Sequence, residues 1–400
     1  MESLKIGLVS TSCWPLVGGM EAYLYRLANS HVENGHDVAI ATRFTESRPK
    51  DTRALHTSHQ SPRSYTEQGV RTDIVAPSVV GKALLPLEYR MHYRASTLGL
   101  AKKLVSFAFL SALRRSLSGS DVIHYSGNGR EMIGFAAADL ARGLDVPLVI
   151  TPHTHAGHWG DGPIDFDLYR HADRVIALTT DEQDRLTAGG LERDSVPIIG
   201  HGVDLVTASG DAFRKKHNIE NTTVLFLGRK TGAKGYPLLL KAIPLVLEKH
   251  PNTSFVLAGA DDPAEQFNDD VLADPRVIDV GILSDEEREE AYAACDVFCL
   301  PSIAEAFGLV YVEAWGHRKP VVGVRIPTLV ELILGSGGGL LADNTPESLA
   351  EAIGALVEDP ALRKKLGDAG YEAAAGRPWT KVASDTASVY VDAIAEHRRR

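Results

Sequence analysis

The fold is decided by residues 296–314, which have the sequence DVFCLPSIAEAFGLVYVEA. The first six of these residues are mostly apolar and end in a proline, a pattern that predicts a short buried strand. From about Gly308 onward the same stretch predicts a helix. The chain therefore passes from strand through loop to helix, which is the repeating unit of an α/β fold.

Two glutamates lie on either side of the point where this helix begins. Glu305 projects from the predicted loop, and Glu313 lies more than one turn into the helix. Between them, the free amides of Gly308, Leu309 and Val310 and the positive end of the helix dipole favour a bound phosphate. One carboxylate could hold a sugar and the other a ribose, although an ordinary loop followed by an amphipathic helix would show the same pattern.

Short apolar runs alternate with helical patterns in both halves of the chain. They begin near residues 4, 36, 121, 147, 173 and 196 in the first half, and near 223, 254, 277, 297 and 321 in the second. Two such series predict two doubly wound α/β domains, each with a parallel sheet. We place these domains at residues 1–203 and 204–380, followed by a C-terminal helix over 381–400.

Two segments of the first half are less regular. Residues 43–71 are polar with little periodicity, and we expect a long, mobile surface loop there. Residues 95–117 predict a helix in which basic pairs accompany apolar residues, so this helix could lie on a membrane surface. A core helix with a solvated basic face is favoured, because the next strand of the series follows at 121–125.

Composition argues against several classes of protein. The chain has 400 residues, 44% of them hydrophobic, and its net charge of −10 argues against nucleic acid as the main partner. The three cysteines, Cys13, Cys295 and Cys299, form no C-x-x-C pair and are expected to be buried thiols. The sequence shows no signal peptide pattern and no apolar stretch near the roughly 20 residues that span a bilayer. We therefore expect a cytoplasmic protein.

The loop after the first strand contains Gly18 and Gly19, and a helix with Glu21 in its first turn follows. Adjacent glycines let the backbone approach an anion closely. A dinucleotide-binding site would need G-x-G-x-x-G directly after the strand, and that pattern is absent here. The first loop therefore counts against an NAD-dependent enzyme.

Histidines follow the strand that ends at Thr151. His153, His155 and His158 invite a metal site, but they lie in a loop-like segment without the H-E-x-x-H spacing or a cysteine partner. We therefore expect no metal there. A single histidine, His153, at the carboxyl end of a strand is the better functional candidate, because ligands of open α/β sheets bind at that edge.

A basic, glycine-rich loop follows the strand that ends at Leu227. It has the sequence GRKTGAKG over residues 228–235, which lacks the spacing of a P-loop. Arg229 offers bidentate phosphate contacts and Lys234 a point charge, so the pair suits a diphosphate. Two solvated basic residues in a loop would be equally consistent with this stretch alone.

Taken together, these segments resemble the family 4 glycosyltransferases, which are retaining enzymes of the GT-B fold, and the resemblance covers essentially the whole chain. His201 departs from the pattern, because the family usually has Asn there. The matching segments, in order, are 18–21 (GGME), 151–153 (TPH), 202–204 (GVD), 228–235, 301–302 (PS) and 305–313.

The resemblance implies two Rossmann-like domains that face each other across a cleft, with the C-terminal helix crossing back onto the first domain. The N-terminal domain would bind the acceptor and the C-terminal domain the nucleotide-sugar donor. Arg229 and Lys234 would stabilise the diphosphate leaving group, Glu305 would contact hydroxyls of the donor sugar, and Glu313 would bind the ribose. His153 would lie beside the transferred sugar.

The remaining positions implied by the resemblance line the donor. Gly18 and Gly19 would contact the phosphate and acceptor side. The residues around Ile282 would receive the base. The amides that would meet sugar and phosphate belong to Phe307, Gly308, Leu309 and Val310.

The function that this resemblance implies is transfer of a hexosyl group from a nucleoside-diphosphate sugar, UDP favoured over GDP, to a hydroxyl acceptor. No metal or other cofactor is expected, since basic groups and a helix N-terminus can stabilise the leaving phosphate. Three alternatives stay open: a nucleotide-sugar epimerase, a non-catalytic binding protein, and a glycoside hydrolase using Glu305 and Glu313. A retaining hydrolase needs its carboxyls about 5 Å apart, whereas eight helical residues span about 12 Å.

Overall fold

A computed structural model describes residues 2–16, 18–49, 51–262, 265, 267 and 270–400. The chain forms two compact units. Unit 1 contains Met1–His201 and Trp379–Arg400, and unit 2 contains Gly202–Pro378. The boundaries drawn from the sequence, after residues 203 and 380, lie two residues later in the chain than these divisions.

Unit 1 is built on a seven-stranded sheet with strand order β3-β4-β2-β1-β5-β6-β7. All neighbours pair in parallel except β3 and β4. The strands are β1 (Lys5–Ser12), β2 (Asp37–Phe44), β3 (Arg63–Glu67), β4 (Val70–Ile74), β5 (Val122–Ser126), β6 (Leu148–Thr151) and β7 (Arg174–Val175). The helices are α1 (Gly19–Glu33), α2 (Thr52–Thr57), α3 (Val79–Met91), α4 (Ala95–Leu117), α5 (Ile133–Leu144), α6 (Pro163–Tyr169) and α7 (Thr180–Ala188).

The prediction of a surface loop over residues 43–71 is wrong. The segment contains α2, β3 and the first residues of β4, and Arg43 is almost fully buried. The Arg43 guanidinium donates to the carbonyls of Leu55, His56 and Ser58 at 2.6–3.1 Å, which fixes the end of α2. Sequence periodicity gave no sign of β3, because this edge strand exposes most of its residues and therefore has no apolar alternation.

Helix α4 confirms the prediction of a helix over residues 95–117. One side of it, including Val105, Phe109 and Leu113, is buried in the core of unit 1. Among the described residues, α4 is also the one helix long and apolar enough to cross a membrane, a test that core helices pass as well, so the expectation that no apolar stretch approaches that length is wrong for α4. The core interpretation of α4 therefore holds for its buried side.

Unit 2 is built on a six-stranded parallel sheet with strand order β10-β9-β8-β11-β12-β13. The strands are β8 (Thr222–Leu227), β9 (Thr253–Ala258), β10 (Val277–Gly281), β11 (Val297–Cys299), β12 (Val321–Val324) and β13 (Gly339–Ala342). The helices are α8 (Asp211–Lys216), α9 (Tyr236–Lys249), α10 (Asp285–Ala294), α11 (Leu309–Gly316), α12 (Pro327–Leu329), α13 (Pro346–Glu358) and α14 (Pro360–Ala375). The two doubly wound α/β sheets predicted from the sequence are confirmed.

The last helix, α15 (Trp379–His397), belongs to unit 1 and packs against α1. The Tyr390 hydroxyl hydrogen-bonds to Nδ1 of the buried His124 on β5 at 2.6 Å. Asn34, at the end of α1, donates to the carbonyl of Thr380 at 2.9 Å. The C-terminal segment therefore completes the layer of helices on the first sheet.

The three cysteines are buried free thiols, as the sequence predicts. Burial raises the pKa of the Cys13 and Cys295 thiols to about 12. They are therefore neutral, unreactive parts of the core.

Candidate active site

Two loops lie side by side at the carboxyl edge of the unit 2 sheet. One follows β8 and covers residues 228–235, and the other follows β11 and covers 300–308. The amide of Ile303 and the hydroxyl of Ser302 donate to the carbonyl of Ala233 at 3.0 and 3.1 Å. These bonds join the basic loop to the loop that carries the first glutamate.

Gly235 allows this close approach. Its φ is +68°, and a Cβ added there would lie 1.8 Å from the carbonyl oxygen of Pro301. No other amino acid could occupy the position without moving one of the two loops. The glycine at the end of the basic loop is therefore required by packing.

Lys234 and Glu305 form an ion pair as a result. The Lys234 ammonium donates to Glu305 Oε1 at 2.7 Å, and the side chains are 22% and 7% exposed. Thr328 holds the Glu305 backbone by donating its hydroxyl to the Glu305 carbonyl at 3.1 Å. The two residues predicted to act on phosphate and sugar thus lie in direct contact.

Helix α11 begins immediately after this pair. Gly308 precedes it with φ +92°, and no side chain caps the helix N-terminus. The first-turn amides, including those of Leu309 and Val310, have no partner within the helix. Phe307 is buried just before the turn, beneath the Arg377 guanidinium, which lies 5.6 Å from the ring centroid. The end of the helix therefore presents donors and a partial positive charge to an anion.

Glu313 lies on α11, away from the ion pair, and has a different partner. The Tyr292 hydroxyl donates to Glu313 Oε2 at 3.0 Å. Burial, followed by the charge of Glu313, raises the pKa of Tyr292 well above its usual value, so it stays a neutral donor. The separation of Glu305 and Glu313 expected for eight helical residues does not apply, because Glu305 lies in the loop before α11.

Arg229 and Lys230 are neighbours with opposite environments. Arg229 is exposed, and no carboxylate among the described residues forms an ion pair with it. Lys230 is buried, and its ammonium lies 2.6 Å from Asp279 and 3.0 Å from Asp261. Lys230 therefore anchors the basic loop to the ends of β9 and β10, while Arg229 remains accessible to a ligand.

Lys230 is a residue that the sequence analysis missed, since nothing near it in the sequence predicts its pairing with carboxylates far along the chain.

Ile282, predicted to receive a base, follows β10 and is 76% exposed. Its side chain is thus available at the same edge of the sheet.

His153 of unit 1 lies directly after β6 in a strained conformation. Its φ is +54°, a left-handed value that costs a residue with a Cβ about 1–2 kcal/mol. Nε2 of His153 is hydrogen-bonded to the Ser126 hydroxyl at 2.9 Å, and its ring packs edge-on against Tyr23. Burial, with neighbouring histidines, lowers the pKa of His153 well below its usual value. The imidazole is therefore neutral, and such strain is typical of functional positions.

Two buried carboxylates and an arginine form a cluster beside the first loop of unit 1. Glu21 is buried, accepts from the Ser12 hydroxyl at 2.5 Å and turns back toward Gly18. Arg48 lies 3.6 Å from Glu21 and 2.8 Å from the buried Glu131. Gly18 precedes α1 and Gly19 is its first residue.

Arg48 and Glu131 are functional candidates that the sequence analysis missed. The sequence gives no signal for them, because their contacts join segments far apart in the chain.

His201, where the family usually has Asn, is buried with its ring centroid 4.8 Å from that of Tyr23.

The ring of His155, one of the histidines after β6, contacts other groups of the protein. The His155 ring packs against that of Trp159 in a tilted arrangement with centroids 4.1 Å apart, and its Nδ1 lies 3.1 Å from the His153 carbonyl. Within the described ranges, the group with the composition and closeness of a metal site lies elsewhere, in the cluster described next.

His56, Glu88 and His92 form that group, buried between α2 and α3. His56 Nδ1 lies 3.0 Å from Glu88 Oε2, and the two imidazoles stack with centroids 4.3 Å apart. The buried guanidinium of Arg43 interacts with Glu88. A divalent ion would add its charge beside that guanidinium, and we assign no metal to this cluster.

Sequence comparisons cover both units. The family described as "Glycosyltransferase Family 4" matches residues 17–207, and "Glycosyl transferases group 1" matches residues 210–373. D-inositol 3-phosphate glycosyltransferase from Pseudarthrobacter chlorophenolicus is 30% identical over 95% of this chain and 91% of its own length. Glycogen synthase from Mycobacterium tuberculosis is 27% identical over 99% and 96%.

Solved structures agree on the fold. Anabaena HepE, in complex with UDP and glucose, is 19% identical with a TM-score of 0.70 and covers 96% of this chain and 98% of its own. Sucrose-phosphate synthase from Thermosynechococcus elongatus is 20% identical with a TM-score of 0.73 and covers 98% and 100%. Both likenesses support a GT-B architecture of two Rossmann-like domains. By its sequence relatives and its fold, the chain belongs to glycosyltransferase family 4 and is a glycosyltransferase.

Proposed function

We propose that this enzyme transfers a hexosyl group, with retention at the anomeric carbon, from a nucleoside-diphosphate sugar to a hydroxyl acceptor without a metal ion. The observation that carries the proposal is the ion pair of Lys234 with Glu305 beside the uncapped N-terminus of α11. It combines a cation and helix amides for a diphosphate with a carboxylate for sugar hydroxyls.

Breaking the anomeric bond leaves negative charge on the departing phosphate. Lys234, Arg229 and the first amides of α11 supply positive potential at one edge of the unit 2 sheet, where that charge would develop. A site with these groups needs no divalent ion to stabilise the leaving group. Retention would follow from attack on the face that the phosphate leaves, with a phosphate oxygen accepting the proton of the acceptor hydroxyl.

The two glutamates take different roles in this proposal. Glu305, held by Lys234, accepts hydrogen bonds from hydroxyls of the donor sugar. Glu313, oriented by Tyr292 on α11, accepts from the ribose hydroxyls. The place of His153 beside the transferred sugar stays a prediction from the family resemblance, and its imidazole in unit 1 is neutral. A hydrolytic acid–base pair is disfavoured, since each carboxylate is held by a separate partner.

UDP is the favoured nucleotide. The solved Anabaena HepE structures with UDP, glucose and UDP-glucose support this choice through their similar fold. Inositol 3-phosphate is the first acceptor to test, because it appears in the name of the relative from Pseudarthrobacter.

The deciding experiment measures unfolding temperature and product formation in the same preparation. UDP, GDP, ADP and NAD are compared first, and we expect UDP to raise the melting temperature most and NAD least. The matching nucleotide-sugar is then incubated alone and with inositol 3-phosphate or other polyols, and products are identified by mass and by anomeric configuration.

Each rival function has its own signature in this experiment. Sugar released to water without acceptor would indicate a hydrolase, and an isomerised donor an epimerase. Equal stabilisation by NAD, or an inverted product, would contradict the proposal.

A further inference from the structure

The hairpin of α3 and α4 in unit 1 exposes an unusual number of large apolar side chains. Val79 is 91% exposed and Phe107 is 57% exposed. Of the thirteen large hydrophobic residues exposed among the described residues, six lie between positions 79 and 107. We call these six the hairpin face: Val79, Val80, Leu87, Tyr93, Leu100 and Phe107.

Packing of α3 on α4 brings exposed apolar side chains of the two helices together. Gly81 on α3 meets α4 so closely that an added Cβ would lie 2.5 Å from Ala108 Cα. Val80 and Phe107 each precede one of these two residues, so they lie at the same end of the hairpin. On α4, Leu100 and Phe107 are seven residues apart, which places them on one side of the helix, opposite the buried side.

The charge of the hairpin is opposite to that of the protein. Residues 79–117 contain seven basic residues and one acidic residue, Glu88, whereas the whole chain has a net charge of −10. Glu88 is buried, and Lys102 pairs with Asp167. Within the described part of the chain, no carboxylate forms an ion pair with the other six, which are Lys82, Arg90, Arg94, Lys103, Arg114 and Arg115.

We propose that the hairpin face docks on an anionic lipid surface. Exposed aliphatic and aromatic side chains among unpaired basic residues are the combination that binds negatively charged headgroups and inserts into their boundary with the acyl chains. A second copy of the chain is disfavoured, because a symmetric contact would place one basic hairpin against another. The proposal does not depend on the identity of donor or acceptor.

The core role of α4 is compatible with this docking. Its buried side packs in unit 1, while Leu100, Lys103 and Phe107 lie on the exposed side of the same helix. The sequence of α4 is compatible with a helix on a membrane surface and with a core helix, and the two sides of α4 permit both. Docking through this face would hold the enzyme at the surface of a membrane.

The test is flotation of the purified full chain with vesicles. We expect binding to vesicles of phosphatidylcholine mixed with phosphatidylglycerol, little binding to phosphatidylcholine alone, and weaker binding as salt increases. The Val79→Ser, Phe107→Ser double variant should reduce the bound fraction about tenfold, since it removes apolar side chains that would insert at the headgroup boundary. The Lys103→Glu, Arg114→Glu double variant should have an effect of about the same size, since each basic residue adds to the attraction by anionic lipid.

Matched controls come from unit 2. Leu334 is 51% exposed and Lys365 is also exposed, so Leu334→Ser and Lys365→Glu make the same changes elsewhere. These controls should bind as the parent does, and all variants should keep the parent melting temperature and transfer rate with water-soluble substrates. The proposal is overturned if the parent ignores anionic vesicles, if hairpin variants bind like the controls, or if the hairpin instead mediates a dimer that Phe107→Ser dissociates.

Discussion

Replacing Lys234 by alanine tests whether its charge acts on the departing phosphate or only neutralises Glu305. A preorganised group that stabilises developing charge typically contributes 10²–10³ in kcat, or about 3–4 kcal/mol. We therefore expect Lys234→Ala to lower kcat by about that factor at saturating acceptor and varied donor. Lys241→Ala, which removes an exposed lysine from α9 of the same unit, should leave kcat unchanged.

The structure predicts a second, separable effect of the same change. Glu305 is 7% exposed, and without Lys234 its carboxylate loses the cation 2.7 Å away. An unpaired buried group of this kind costs about 1–3 kcal/mol of folding free energy. Adding Glu305→Gln removes the charge left behind, so the double variant should regain part of the lost stability but none of the lost kcat. Recovery of kcat along with stability would refute the assignment of Lys234 to the leaving phosphate.

Glu313 provides the contrast within this experiment. A contact with ribose is the same in the ground and transition states, so Glu313→Ala should raise the KM for donor with little change in kcat. Release of nucleoside diphosphate, followed continuously, measures both constants. Wild-type kcat in Lys234→Ala together with loss of kcat in Glu313→Ala would reverse the two roles.

Three further outcomes are expected. Dialysis against EDTA should leave transfer activity intact, and loss that a single divalent metal restores would contradict metal independence. Gly235→Ala should lower the melting temperature and weaken nucleotide binding because its Cβ would meet Pro301. Gly337→Ala, at φ +66° with the Cβ of Ala369 at an ordinary contact distance of 3.9 Å, should cost only the conformational strain of about 1–2 kcal/mol. Burial lowers the pKa of His31 and His124 to about 3 from 6.5. Between these pKa values the unfolded chain binds more protons than the folded protein, so stability falls as the pH falls. Each histidine should lower the free energy of unfolding by about 2 kcal/mol from pH 7 to pH 5, which urea unfolding can measure.

The sequence predicted best where local pattern and local structure coincide. The apolar run before Pro301 is β11, and the helix expected from about Gly308 begins at Leu309, so strand, loop and helix over 296–314 are confirmed. The apolar run and Gly308 each determine structure within a few residues of their own positions. Periodicity could therefore locate both the sheet and the end of the helix that is suited to a phosphate.

Features that depend on distant segments were not predictable. The Lys230 ammonium is hydrogen-bonded to the carboxylate of Asp279, 49 residues away, and the Lys234 ammonium to that of Glu305, 71 residues away. Arg43 is likewise buried by tertiary packing, although the polar composition of residues 43–71 predicted an exposed loop. Local patterns identified candidate ligands one by one, whereas their partners became visible only when the two loops were brought together by the fold.

The pairing of Lys234 with Glu305 bears on how the donor is recognised. Each side chain neutralises the other, and a ligand that separates them must satisfy both. A nucleoside-diphosphate sugar can do so, because its phosphate attracts the ammonium and its sugar hydroxyls can donate to the carboxylate. A nucleoside diphosphate without sugar could engage Lys234 but would leave the buried Glu305 carboxylate without a donor, at the cost of an unsatisfied charged group. The ion pair would therefore favour the intact donor over the spent nucleotide, which helps product to leave.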